Sequence, residues 1–126
     1  MTDEAVAGMI HEHKIDILID LQGHTKGART EILALRPAPI AVNWLGYPGT
    51  MATPYHHYLI ADDWIIPEDH EVFYTETVLR LPCYQANDRR RVIAPERPGR
   101  KDCGLPEGAV VFCCFNGLHK IKRSLW

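Results

Sequence analysis

Apolar positions recur along the chain with two different periods, and each change of period marks a change of element. Val6, Met9, Ile10 and His13 fall at helical spacing behind Thr2, a hydroxyl suited to an N-cap, while Asp3 and Glu4 put negative charge in the first turn. Residues 15–21 alternate Ile and Leu with Asp16 and Asp20, then stop at Gly23, the pattern of a strand feeding a loop. Residues 28–35 read as a helix that ends ahead of Pro37, whose ring disfavours helix at the preceding residue. A further apolar run follows at 40–45. Two strands joined through a helix need a crossover, so this pair is expected to be parallel and its connection right-handed.

The alternation continues. Residues 58–61 and 77–81 are strand-like, and 67–74 opens with Pro and acidic residues like a helix start. Residues 82–108 carry prolines, glycines and Arg89, Arg90 and Arg91 without apolar periodicity, which predicts an irregular connection, unusually long for one compact domain. The run 109–115 is almost continuously apolar, as expected of a strand buried on both faces, and ends in Asn116 and Gly117. The order implies an α/β fold built on a partial Rossmann-like parallel sheet. A doubly wound sheet would continue past Gly117 with a helix and more strands, so the chain is expected to be a fragment.

Composition narrows the function classes. A length of 126 residues suits one domain, and 46% hydrophobic with 24% charged residues fits a folded core. A net charge of -2 offers no general attraction to nucleic acid or anionic membrane. Cys83, Cys103, Cys113 and Cys114 form no C-x-x-C pair and read as reduced thiols, which suits a cytoplasmic protein. No apolar stretch has the roughly 18 residues of a membrane span, and no signal-peptide pattern opens the chain. His11 with His13, and His56 with His57, are poorly spaced to share a metal, and no metal is expected. The arginine run lacks the interleaved aromatics of a nucleic-acid module.

Open α/β sheets bind ligands at the carboxyl ends of their strands, which singles out residues 23–27, 46–50 and 116–120. The first, Gly-His-Thr-Lys-Gly, offers backbone amides and a lysine to an anion but is neither a G-x-G-x-x-G nor a Walker sequence. A dinucleotide-dependent oxidoreductase would need that fingerprint and is ranked low for lacking it. Gly46, Pro48 and Gly49 give the second loop a turn composition, which an ordinary tight turn also explains. Lys120 stands where an ammonium could neutralise phosphate, although a solvated lysine is the commoner outcome.

Residues 16–29 (DILIDLQGHTKGAR), 35–40 (LRPAPI) and 44–50 (WLGYPGT), in that order and spacing, closely resemble the catalytic region of the protein O-GlcNAc transferases. Further matches fall at 58–62 (YLIAD), 103–107 (CGLPE) and 112–116 (FCCFN) leading to Lys120 and Ile121, so the resemblance covers roughly residues 8–121. It implies two Rossmann-like lobes in a GT-B arrangement, transferring N-acetylglucosamine with inversion from UDP-GlcNAc to Ser or Thr of proteins, without cofactor or catalytic metal. Residues 1–108 would be the latter part of the first lobe with the inter-lobe connection. Residues 109–126 would be the first strand and loop of the second, UDP-binding lobe, truncated. The resemblance carries a sugar-pocket role onto His24, Leu45 and Gly46, with Pro48 shaping the same loop. It also carries a diphosphate role onto Lys120, with Asn116 and His119 bordering that loop.

His24 stands where some relatives have Tyr, and Gly117 replaces a Gln used beside the diphosphate. The resemblance implies a short connection between the lobes, similar to the compact, bacterial type. The family's proposed acid or base His, most of the second lobe and the helical repeats that normally precede the catalytic region have no counterpart in this sequence. The expected activity is therefore that of a transferase piece, inactive alone and needing its missing lobe. The alternative is a non-catalytic remnant or binding module with weak nucleotide affinity.

Overall fold

The computed structural model describes residues 1–85, 90, 92–115 and 117. It comprises two units, Met1–Asp88 and Arg89–Trp126, each treated by itself.

Among the described residues, the first unit holds every regular element. Helix α1 spans Asp3–Glu12, and Thr2 Oγ1 accepts from the Ala5 amide at 3.3 Å, so the expected N-cap is in place. Strand β1 is Ile17–Asp20, helix α2 Glu31–Ala34, β2 Ile40–Asn43, β3 Tyr58–Ala61 and β4 Thr77–Arg80. A 3-10 turn at Glu68–Phe73 stands where the sequence predicts a helix. The four strands lie side by side in the order β1-β2-β3-β4, all parallel, so the α/β class and parallel sheet read from the sequence are observed.

Two elements are shorter than their apolar patterns suggest, for local reasons. Helix α2 forms only from Glu31, because Gly27 (φ 86°) interrupts the helical conformation upstream; it closes at Arg36 (φ 50°), whose amide bonds back to Leu33 O at 2.9 Å. Strand β2 stops at Asn43 rather than 45 because Leu45 (φ 74°) turns the backbone left-handed.

Side chains paired in register share a face of the sheet. Ala41, Asn43, Leu59 and Ala61 lie on the covered face, where Leu59, Ala61 and Ile66 form the core with Tyr74 and Val78 against them. On the other face the centre is covered, with Val42 4% exposed, while Ile17, Ile19 and Leu79 on the two edge strands are 55%, 44% and 40% exposed. The β2–β3 ladder is also short, pairing Val42 with Tyr58 and Asn43 with Leu59. Next to it the His57 ring replaces a backbone partner, its Nδ1 accepting from the Ala41 amide at 3.0 Å.

In the second unit Arg100 organises a turn, its Nη1 donating to Ala109 O at 2.7 Å and Pro106 O at 3.0 Å. The expected strand at 109–115 is not formed, and this is a correction. No ladder reaches it among the described residues, and Val110, Phe112 and Phe115 are 82%, 85% and 99% exposed. A strand exists only by pairing, and apolar side chains without a neighbouring strand supply no backbone partner. All four cysteines are free and exposed.

Candidate functional site

The carboxyl ends of β1 and β2 build one loop cluster. Asp20, the last residue of β1, folds the chain over itself: its Oδ1 accepts from the Gln22 amide at 2.9 Å and the Gly23 amide at 3.0 Å. Its Oδ2 meets His56 Nε2 at 3.3 Å, and His56 Nδ1 lies 2.7 Å from Thr53 Oγ1. Both side chains are inside, 8% exposed for Asp20 and 0% for His56. The hydrogen bond from His56, with the Gly23 and Gln22 amides adding to it, lowers the Asp20 carboxyl from 3.8 to about 2, against burial, which pushes it the other way.

Gly23 takes the left-handed conformation (φ 53°), and a Cβ there would stand 2.6 Å from Tyr47 Cβ. Gly46 is tighter still, since its Cβ would stand 2.1 Å from Leu21 O. These two contacts press the loop after β1 against the loop after β2. His24 then reaches across, its Nε2 3.1 Å from Met51 O and its ring edge-on to Tyr47 at 5.4 Å between centroids.

Two buried groups and the half-buried Tyr74 hold the second loop from below. Asn43 is fully buried and donates from Nδ2 to Tyr47 O at 2.8 Å and Gly49 O at 3.4 Å. Its Oδ1 has no partner among the described residues. Glu76, 4% exposed, accepts from the Met51 amide at 2.7 Å and from Thr50 Oγ1 at 2.8 Å. Tyr74 donates its hydroxyl to Pro48 O at 3.2 Å. Burial raises the Tyr74 phenol above its ordinary value, with the Glu76 charge adding to it. On the far side of the same loop, Trp44 Nε1 donates to Tyr84 O at 3.1 Å.

Of the residues singled out from the sequence, His24, Leu45, Gly46 and Pro48 come together in this cluster, with Leu45 41% exposed at its surface. Asn116, His119 and Lys120 lie outside the described residues. The sequence reading missed Asp20, Asn43, Met51, His56 and Glu76. Asp20 carried a signal, an acidic residue at a strand end followed by a glycine. Glu76 carried none, because its partners lie 25 and 26 positions away.

Chemically, the cluster is a supported wall. Its carboxylates, Asp20 and Glu76, are spent on backbone amides, the His56 ring and the Thr50 hydroxyl, and what it presents is the His24 ring, Leu45 and closely packed backbone. A cavity of about 390 Å3 lined by His11, Leu18, Leu33, Arg36, Ala41 and His57 opens at the opposite, amino-terminal ends of the strands. Parallel sheets seat their ligands at the carboxyl ends, which favours the loop cluster over that cavity.

Comparison with known proteins identifies the family. The profile described as glycosyl transferase family 41 matches residues 1–95. An Arabidopsis thaliana protein named as a probable UDP-N-acetylglucosamine–peptide N-acetylglucosaminyltransferase, SEC, is 44% identical over 99% of this chain. The Arabidopsis protein SPINDLY, given the same enzyme name, is 37% identical over 98%. The chain spans 13% of the length of each. A mutant O-GlcNAc transferase from Thermobaculum terrenum has a similar structure, with a TM-score of 0.63 and 34% identity over 67% of this chain and 16% of that one.

Proposed function

The chain belongs to glycosyl transferase family 41, and from that premise we propose that its loop cluster is one wall of a UDP-N-acetylglucosamine pocket in a transferase that glycosylates Ser or Thr of proteins. The observation that carries the reading is the packing of Gly46 against Leu21 O, which brings His24 and Leu45 to one edge of the sheet. A sugar seated there would meet backbone, an imidazole and an apolar side chain, a surface suited to a ring with hydroxyls on its rim and an apolar face.

In this reading the wall positions the sugar, and the charge that develops on the leaving UDP is met by Lys120. A fixed cation at that point lowers the barrier because it acts where negative charge grows. The reading pairs this piece with a second lobe and a protein acceptor, and predicts no transfer by the 126-residue chain alone. The second reading is a module that retains weak nucleotide affinity without catalysis.

Calorimetry with UDP and a transfer assay with UDP-N-acetylglucosamine and acceptor peptide separate these readings. Weak UDP binding lost in Lys120→Ala supports the nucleotide site. Transfer by the chain alone, absent from Lys120→Ala, would show that the catalytic machinery is more complete than proposed. Binding unchanged by Lys120→Ala would remove the diphosphate role.

A further inference from the structure

We infer that Glu76 is a positioning residue that, through Met51, holds His24 as its Nε2–H tautomer and so presents Nδ1 to a sugar hydroxyl as a hydrogen-bond acceptor. The inference rests on the nucleotide-sugar reading for its ligand but not for its geometry.

The chemistry starts from Met51 O, a carbonyl, which can only accept. The contact at 3.1 Å therefore needs the proton on His24 Nε2. In the neutral ring that leaves Nδ1 with a lone pair, and Nδ1 has no protein partner among the described residues. Tyr47 meets the ring edge-on and limits its rotation. A ring fixed in this way accepts from a hydroxyl or an amide N–H, and it discriminates against a ligand that offers only acceptors.

The carbonyl stays in place because the residue that carries it is held at both ends. Met51 is 1% exposed, and its amide donates to Glu76 Oε1 at 2.7 Å, a charge-assisted bond. The second carboxylate oxygen takes the Thr50 hydroxyl at 2.8 Å, and that Thr50 oxygen accepts from the Ala52 amide at 3.1 Å. One carboxylate thus sets the backbone on either side of Met51. Glu76 never needs to touch a ligand to decide which face of the imidazole carries the proton.

The test is long-range 1H–15N NMR of the histidine rings in the whole 126-residue chain at mildly alkaline pH. We expect His24 protonated at Nε2 and bare at Nδ1; a ring protonated at Nδ1 overturns the inference. Glu76→Ala is expected to leave both tautomers populated, and Glu76→Gln, which can still accept from the Met51 amide, to restore the Nε2–H form. Should Glu76→Ala not fold, Glu76→Gln carries the test through hydrogen exchange. Exchange at the Met51 amide is then expected to quicken about five- to tenfold as a charged acceptor becomes neutral. An unchanged rate overturns the role of Glu76.

Saturating UDP-N-acetylglucosamine is expected to shift Nδ1 and leave Nε2 protonated. If other loop resonances move and Nδ1 does not, the acceptor role fails. If no resonance moves, the nucleotide-sugar reading fails for this chain and the sugar-facing half of the inference with it, while the tautomer result stands.

Discussion

Gly46 packs against Leu21 so closely that the carbonyl oxygen of Leu21 occupies the space where any Cβ on residue 46 would have to lie, 2.1 Å away. Both partners are backbone, so no rotamer change relieves the overlap. Gly46→Ala is expected to cost about 2–3 kcal/mol, in line with overpacking in tight interiors. Gly8, in the middle of α1, is the control, because a Cβ added there would meet nothing within 4 Å. Gly8→Ala is expected to stabilise by about 0.5–1 kcal/mol from helix propensity. Urea midpoints of the two variants check the pair, and a neutral Gly46→Ala would show that the loops are not pressed together.

Acid should reach the site through Asp20. Its carboxyl lies at about 2 in the folded chain against 3.8 ordinarily, so its contribution is fully present above about pH 4 and is lost as pH falls through 2. Allowing for screening by water, that contribution is about 1 kcal/mol. Asp20→Asn is expected to lower stability near neutrality and to flatten the pH dependence between pH 4 and about 2. Thermal unfolding at a series of pH values measures both, and an unchanged slope in the variant would assign the acid response to other carboxyls.

The opposite pH response is expected at Asn43. Asn43→Asp would place a carboxylate, fully buried, against the Tyr47 and Gly49 carbonyl oxygens in place of an amide that donates to them. An ionised carboxylate there costs about 3–5 kcal/mol. Its protonated form can donate to Tyr47 O, so this variant should gain stability as pH is lowered toward about 5, where the parent does not. Denaturation at neutral and mildly acidic pH distinguishes them.

The apolar side chains exposed on the edge strands of one sheet face predict self-association. Ile17, Ile19 and Leu79 stand exposed on it, and apolar surface of this kind on a parallel sheet draws a cover from whatever is available. We expect the chain to elute above its monomer mass in size-exclusion chromatography, and Ile19→Lys to shift it toward monomer. A sharp monomer peak for the parent would count against a sticky face.

The order of elements was legible in the sequence because each β strand here carries its own local signature. Residues 58–61 match β3 end to end, and Thr2 announced α1 by its hydroxyl. Leu45 was read as strand because apolarity does not report a left-handed backbone angle, which is imposed by the packing of the next residue, Gly46. The run 109–115 misled for a related reason: composition records what a segment could bury, and only a partner makes it a strand. Within the site, glycine, proline and histidine stood out locally. The Glu76 carboxylate that supports them did not, since its contacts with residues 25 and 26 positions away leave no periodic trace.

The sheet has a weak seam. Strands β1 and β2 pair over four residues, as do β3 and β4, while β2 and β3 share two pairs and the His57 ring. Both loops of the cluster spring from the β1–β2 side, whereas Glu76 sits at the foot of β4. Its grip on Thr50 and Met51 therefore spans the seam like a staple. With Tyr74 on Pro48 O and Trp44 on Tyr84 O, that carboxylate makes the loops the brace that ties the two halves of the sheet together where their own ladder is thinnest.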